Sequence, residues 1–166
     1  MQNRLMVSYF EGDLFTAPVD VILHGANCQH TMGSGIARSI REKFPEAYAA
    51  DCATAKNDPK KMGTYSWARV SNPDHPQIKY VINLYSQFQF GRGPRHTSYD
   101  AIATGLESLR DKLVGKTLTL GINYKLGCNL GGGSWPVVES IIYSVFEDFP
   151  VKVLICRRPE DRENES

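Results

Sequence analysis

Apolar and polar positions along the chain alternate in short strand-like runs separated by segments of helical period. Residues 4–10 read as a strand, and Glu11-Gly12-Asp13 supplies turn chemistry after it. Residues 19–24 are nearly continuous in apolar side chains, which suits a strand covered on both faces. Gly33-Ser34-Gly35 then opens a segment in which Ile36, Ala37, Ile40 and Phe44 recur at helical spacing until Pro45. An Ala-rich second helix is predicted over 45–56, followed by a polar break over 57–61. Residues 64–70 and 79–85, rich in β-branched and aromatic side chains, predict two strands around the turn Asn72-Pro73-Asp74. Ile102, Leu106, Leu109 and Leu113 predict a helix ending near Gly115, and 117–122 predict another strand. A second glycine loop, 127–133, leads into a helix with Ser134 as its cap, Pro136 in its first turn and Val138, Ile141, Ile142, Val145 and Phe146 as its buried stripe. Residues 151–155 give a last strand. Strands alternating with helices in this way predict one α/β domain.

Composition narrows the function classes. A chain of 166 residues, 42% hydrophobic, fits one domain, expected over 1–156, with the polar segment 157–166 as a frayed tail. With 19 basic and 18 acidic residues the formal charge is +1, so no global field recruits nucleic acid or an anionic membrane. Any anion site must be local. The longest apolar runs fall far short of the roughly 20 residues that a bilayer span requires, and no secretory signal is visible. Cys28, Cys52, Cys128 and Cys156 form no C-x-x-C pair, so reduced thiols and a cytoplasmic setting are expected, with no metal and no cofactor.

The candidate chemistry lies at the two glycine loops. Each falls between an apolar strand and a helix, where ligands settle in open α/β sheets. Without a Cβ, the backbone there can converge its N–H groups on phosphate oxygens. Neither loop has the Walker or the G-x-G-x-x-G spacing, so both common nucleotide fingerprints fail. His24 and Asn27 lead into the first loop at a strand end. His24 is placed either to transfer protons there or to pack under the loop with its ring satisfied, and Asn27 to orient a hydroxyl. Arg92, Arg95 and His96 form the densest basic spot, a phosphate-gripping lid or a solvated turn. Trp135 and Tyr85 are candidates for stacking on a ligand or for the core.

Gly12-Asp13-Leu14, Asn27-Cys28 before Met32 to Ala37, and the run from Leu126 to Trp135 together resemble the macrodomain family, in the expected order. The similarity is to the branch with ADP-ribose-1″-phosphate phosphatases and terminal ADP-ribose protein glycohydrolases. It implies a three-layer α/β/α macrodomain with a mixed sheet of about six strands. It also implies that Asp13 and Leu14 contact an adenine. Gly33, Ser34, Gly35 and Ile36, with Asn129, Leu130, Gly131, Gly132 and Gly133, would enclose a diphosphate and distal ribose, with Cys128 and Ser134 at the ends of the second loop. Asn27 would face that ribose, and His24 matches a histidine common in the branch. The implied function is ADP-ribose binding, with action on ADP-ribose-1″-phosphate or a related derivative. The alternatives are a non-catalytic reader of free or protein-linked ADP-ribose and, more weakly, an RNA-end module. Glycohydrolases of this branch use a strand lysine where the nearest residues here are Asn83, Leu84 and Tyr85, and a loop aspartate where this chain has Gly131 or Gly132. A general base would then be His24, His30 or His96, or a water held by Asn27 and Ser134.

Overall fold

Six strands build one sheet: β1 (Val7–Glu11), β2 (Val21–Ala26), β3 (Tyr65–Arg69), β4 (Tyr80–Tyr85), β5 (Leu120–Asn123) and β6 (Val153–Arg157). The structure, a computed structural model, describes residues 6–91, 95–128 and 130–163. The strand order is β1-β6-β5-β2-β4-β3, parallel throughout except that β3 runs antiparallel to β4. Side-chain alternation along the strands divides the core in two. Val21, Leu23, Ile82, Leu84, Val153 and Ile155 face α3 (Tyr99–Leu113) and α4 (Trp135–Phe146). Ile22, Val81, Leu154 and Cys156 face α1 (Gly35–Lys43) and α2 (Pro45–Cys52). The result is the expected three-layer α/β/α arrangement. No described helix is long and apolar enough to cross a membrane.

Several boundaries differ from the sequence reading for local reasons. The second helix stops at Cys52, four residues early, because Thr54 turns both its N–H and its hydroxyl onto the Asp51 carbonyl. The polar break beyond it contains a single 3-10 turn, Pro59–Lys61, capped by the Asp58 side chain, which accepts from the Lys60 N–H. The strand expected over 117–122 is shifted to Leu120–Asn123. Arg4 and Leu5 lie outside the described residues.

The largest difference is at the carboxyl end, where fraying was expected from 157 onward. Arg157 instead closes β6, accepting from the Gly12 N–H through its carbonyl and gripping Glu11 through its guanidinium. A short helix α5 (Pro159–Glu163) follows, its start tied by the Arg158 N–H donating to the Asp161 carboxylate. These contacts join charged residues to one another and do not depend on apolar burial.

Candidate functional site

The parallel order places the carboxyl ends of β2 and β5 side by side, with the first glycine loop and α1 on one flank and the second glycine loop on the other. Two cavities open there. The first, about 350 Å³, lies between residues 31–37, Gln87, Phe90 and Gly91, and the second-loop residues Leu126, Gly127, Leu130 and Gly131. The second, about 470 Å³, is lined by Asp13, Leu14, Phe15, Ser39, Lys43, Tyr124, Arg158 and Asp161. Gly35, Ile36, Asn123 and Lys125 line both, so the cavities meet at the amino terminus of α1 and form one trough.

That junction is suited to an anion. The first N–H groups of a helix lack intrahelical partners, Ser34 provides no side-chain cap, and the first turn of α1 holds no acidic residue. Gly35 begins the helix at φ 57°, a left-handed conformation strained for any residue with a side chain. Lys125 adds a charge at the same place and is the charged side chain among the described residues lining the first cavity. Together these supply the local positive site that a net charge of +1 does not.

The first loop is braced before any ligand arrives. Asn27 donates from Nδ2 to the Thr31 carbonyl and accepts from the Gln29 N–H, so its amide is turned onto its own loop. His30 joins the Thr54 carbonyl, the Tyr48 hydroxyl donates to the His30 carbonyl, and the Asn57 and Cys28 main chains are bonded. Asn27 borders the cavity, but as the strut that shapes the loop.

His24 is placed under the trough rather than in it. Its side chain is fully buried although it bounds the cavity floor. Asn83 lies beside it in register and donates from Nδ2 to the Ala47 carbonyl and to Ser66 Oγ. The Asn83 carbonyl oxygen is therefore the acceptor, and His24 Nε2 donates to it at 2.6 Å. Nδ1 is left as a buried acceptor without a partner among the described residues. Burial lowers the imidazole pKa from its ordinary 6.5, against weaker opposing effects of Asn83 and Asp51. Below 6.5 the unfolded chain binds a proton that native His24 refuses, so stability falls as pH falls from there toward the native value. The slope is about 1.4 kcal/mol per pH unit at most. Urea unfolding at about pH 7 and about pH 5.5 should show that loss, and His24→Gln should flatten it. An equal loss in both proteins would assign the effect to other groups.

Of the remaining expected residues, Gly33, Ser34, Gly35, Ile36, Leu130 and Gly131 line the first cavity and Asp13 and Leu14 the second. Asp13 accepts from the Phe15 N–H through one oxygen. Cys128, Gly132, Gly133 and Ser134 lie outside both linings. Cys128 donates to the Leu126 carbonyl, with its thiol pushed up to about 11 by burial. Ser134 occupies the N-cap position of α4 without a side-chain cap bond, and its N–H donates to the Tyr99 hydroxyl. Asn129 and Arg92 lie outside the described residues. Arg95 sits over the Tyr99 ring. Trp135 packs on Tyr124 and donates to the Tyr9 hydroxyl, partly buried against the core, and Tyr85 is buried and bonded among Asp51, Thr54 and Ser66.

Asn83, Leu84 and Tyr85 do not line the trough. The side chain presented at that end of β4 is Gln87, which the sequence reading missed, as it missed Phe90, Asn123 and Lys125. Gln87 bridges to Thr97 through the main chain and donates from its amide to the Gln89 carbonyl. Its position two residues past a predicted strand, before Gly91, was the available signal. Gly131 packs so tightly here that a Cβ would lie 2.3 Å from Thr97 Oγ1 and 2.9 Å from the Gly127 carbonyl.

A family model described as Macro domain matches residues 23–142. A 17.5 kDa protein of the tk-vs intergenic region of Enterobacteria phage T4 is 34% identical over 145 residues, covering 83% of this chain and 88% of that one. The ADP-ribose 1″-phosphate phosphatase of Debaryomyces hansenii is 27% identical over 178 residues, covering 90% and 99%. A structure of Thermosipho africanus DarTG in complex with ADP-ribose superposes with a TM-score of 0.74 at 20% identity, covering 93% of this chain and 42% of that one. At that identity the likeness is one of fold.

Proposed function

This chain belongs to the macro domain family, and on that premise we propose that its trough binds ADP-ribose and that it acts on ADP-ribose 1″-phosphate, or a related derivative, at the distal ribose. The observation that carries the reading is the meeting of two cavities at the amino terminus of α1. An ADP-ribose has the matching parts in the matching order: a base for the end at Asp13, a diphosphate for the helix terminus and Lys125, and a second ribose for the end at Asn27 and Gln87. The phosphatase relative from Debaryomyces hansenii supports the choice of derivative. Four free cysteines fit a reducing, cytoplasmic setting.

A second reading, a reader of free or protein-linked ADP-ribose, is favoured by the walls of the distal cavity. Among its described lining residues there is no carboxylate, and the one imidazole is buried beneath the floor. Titration calorimetry with ADP-ribose, beside phosphate release from ADP-ribose 1″-phosphate, separates the readings. Binding with steady phosphate release is the expected result. Binding with no release over hours assigns the chain to the reader class, and no binding of either compound removes both readings.

A further inference from the structure

The first glycine loop lies against the segment that follows α2, and three bonds stitch the two together. The Asn57 N–H donates to the Cys28 carbonyl at 2.7 Å, the Gln29 amide donates to Asn57 Oδ1 at 3.1 Å, and the His30 ring meets the Thr54 carbonyl at 2.9 Å. A carbonyl only accepts, so His30 Nε2 carries a proton in this bond and has no lone pair to offer a substrate. The ring is half-buried and lies outside the linings of both cavities, whereas Asn27, Thr31 and Met32 of the same loop border the first. The His30 backbone stands at φ 56°, a left-handed conformation that a residue with a Cβ keeps only where its surroundings hold it. Two contacts hold it: the ring bond and the Tyr48 hydroxyl, which donates to the His30 carbonyl at 3.2 Å. Thr54 is itself fixed from below. Lys61, only 7% exposed, donates from Nζ to Thr54 Oγ1 at 2.6 Å and lies 4.2 Å from the centre of the Tyr85 ring. The Tyr85 hydroxyl donates to the buried Asp51 carboxylate at 2.8 Å. A buried ammonium and a buried carboxylate joined through hydroxyls resist any shift that would leave either unpaired, which makes this platform stiff.

We propose that His30 is a positioning residue of the binding site and not its general base: anchored on Thr54 and the platform of Lys61, Tyr85 and Asp51, it holds residues 31–33 in the conformation that receives the ligand. The proposal rests on the reading of the trough as an ADP-ribose site. Without the ring bond the left-handed turn keeps only the Tyr48 contact, and the loop samples other conformations. The apparent affinity then falls by the fraction of molecules in which the loop is in place.

The test compares wild type, His30→Ala, His30→Gln and Tyr48→Phe for ADP-ribose binding by calorimetry, each well below its own melting transition, with phosphate release from ADP-ribose 1″-phosphate alongside. His30→Ala is expected to weaken ADP-ribose about tenfold, as follows when about one molecule in ten keeps the loop formed. In phosphate release the loss should fall on KM and not on kcat, because saturating substrate restores the loop. His30→Gln keeps an N–H for the Thr54 carbonyl and has no basic nitrogen, so it should recover most of the affinity. Tyr48→Phe should fall between wild type and His30→Ala. Wild-type affinity in His30→Ala overturns the inference, as does His30→Gln binding no better than the alanine variant. A kcat that collapses equally in His30→Ala and His30→Gln assigns the imidazole to proton transfer and also overturns it. If His30→Ala does not fold, wild-type affinity in Tyr48→Phe overturns it instead. Wild-type protein that binds no ADP-ribose overturns the proposed function and this inference together, whereas intact wild-type binding with unaffected variants overturns this inference alone.

Discussion

Gly131→Asp is expected to weaken ADP-ribose binding by at least about tenfold and to confer no glycohydrolase activity. Glycohydrolases of the branch that the sequence resembles use a loop aspartate near this position, so the substitution is the natural attempt to restore one. The structure predicts its failure. A Cβ on Gly131 would meet Thr97 Oγ1 at 2.3 Å, Gln87 Oε1 at 2.8 Å and the Gly127 carbonyl at 2.9 Å. The Thr97 hydroxyl is committed to that same carbonyl at 2.7 Å, and the His96 and Thr97 N–H groups both donate to the Gly131 carbonyl. The loop has no slack on that side, and the carboxylate would force it away from the trough. Overpacking of this kind costs about 1–3 kcal/mol, enough to change an affinity by one or two orders of magnitude. Calorimetry on the folded variant measures it. Wild-type affinity would show that the second loop yields without affecting the ligand site.

The largest effect on stability is expected at Asn83. Its side chain is fully buried and serves His24, the Ala47 carbonyl and Ser66 at once, tying β2 to α2 and β3. Asn83→Ala leaves the His24 N–H buried without a partner, at about 1–3 kcal/mol, and takes from the Ala47 carbonyl, already paired within α2, its second donor. A total of about 2 kcal/mol or more is expected, read as a lower urea midpoint at unchanged slope. A loss under about 1 kcal/mol would show that Ser66 or a water takes over the His24 N–H. Because the amide orientation also sets which His24 nitrogen carries the proton, the same variant should move the imidazole nitrogen chemical shifts.

How far the site could be read in advance depends on what kind of signal each residue leaves. Gly33 to Ile36 were legible because a glycine-rich turn between an apolar strand and a helical period has few other uses. Asp13 and Leu14 were legible through the resemblance. His24 and Asn27 were identified as residues at the site, but the sequence left the role of His24 open between proton transfer and packing. The structure puts its ring beneath the floor, and it turns the Asn27 amide onto the loop. Cys128 and Ser134, next to glycines in the chain, lie outside both cavity linings: the Cys128 thiol turns onto the Leu126 carbonyl, and Ser134 stands at the N-cap of α4. Adjacency in the chain does not fix direction in a loop of left-handed residues.

By itself the sequence determined the α/β class, the order of strands and helices and the two glycine loops whose residues border the trough. Those follow from local periodicity and from glycine's conformational range, which act over a few residues. Only the tertiary structure decided that β2 and β5 lie side by side, that Gln87 and Lys125 face the trough, and that Asn83 claims His24. It also decided that Arg158 and Asp161, read as tail, wall the base-end cavity. These depend on contacts between residues far apart in the chain. The partner of a polar side chain is chosen by whatever the fold brings within hydrogen-bonding reach, and no local pattern records it.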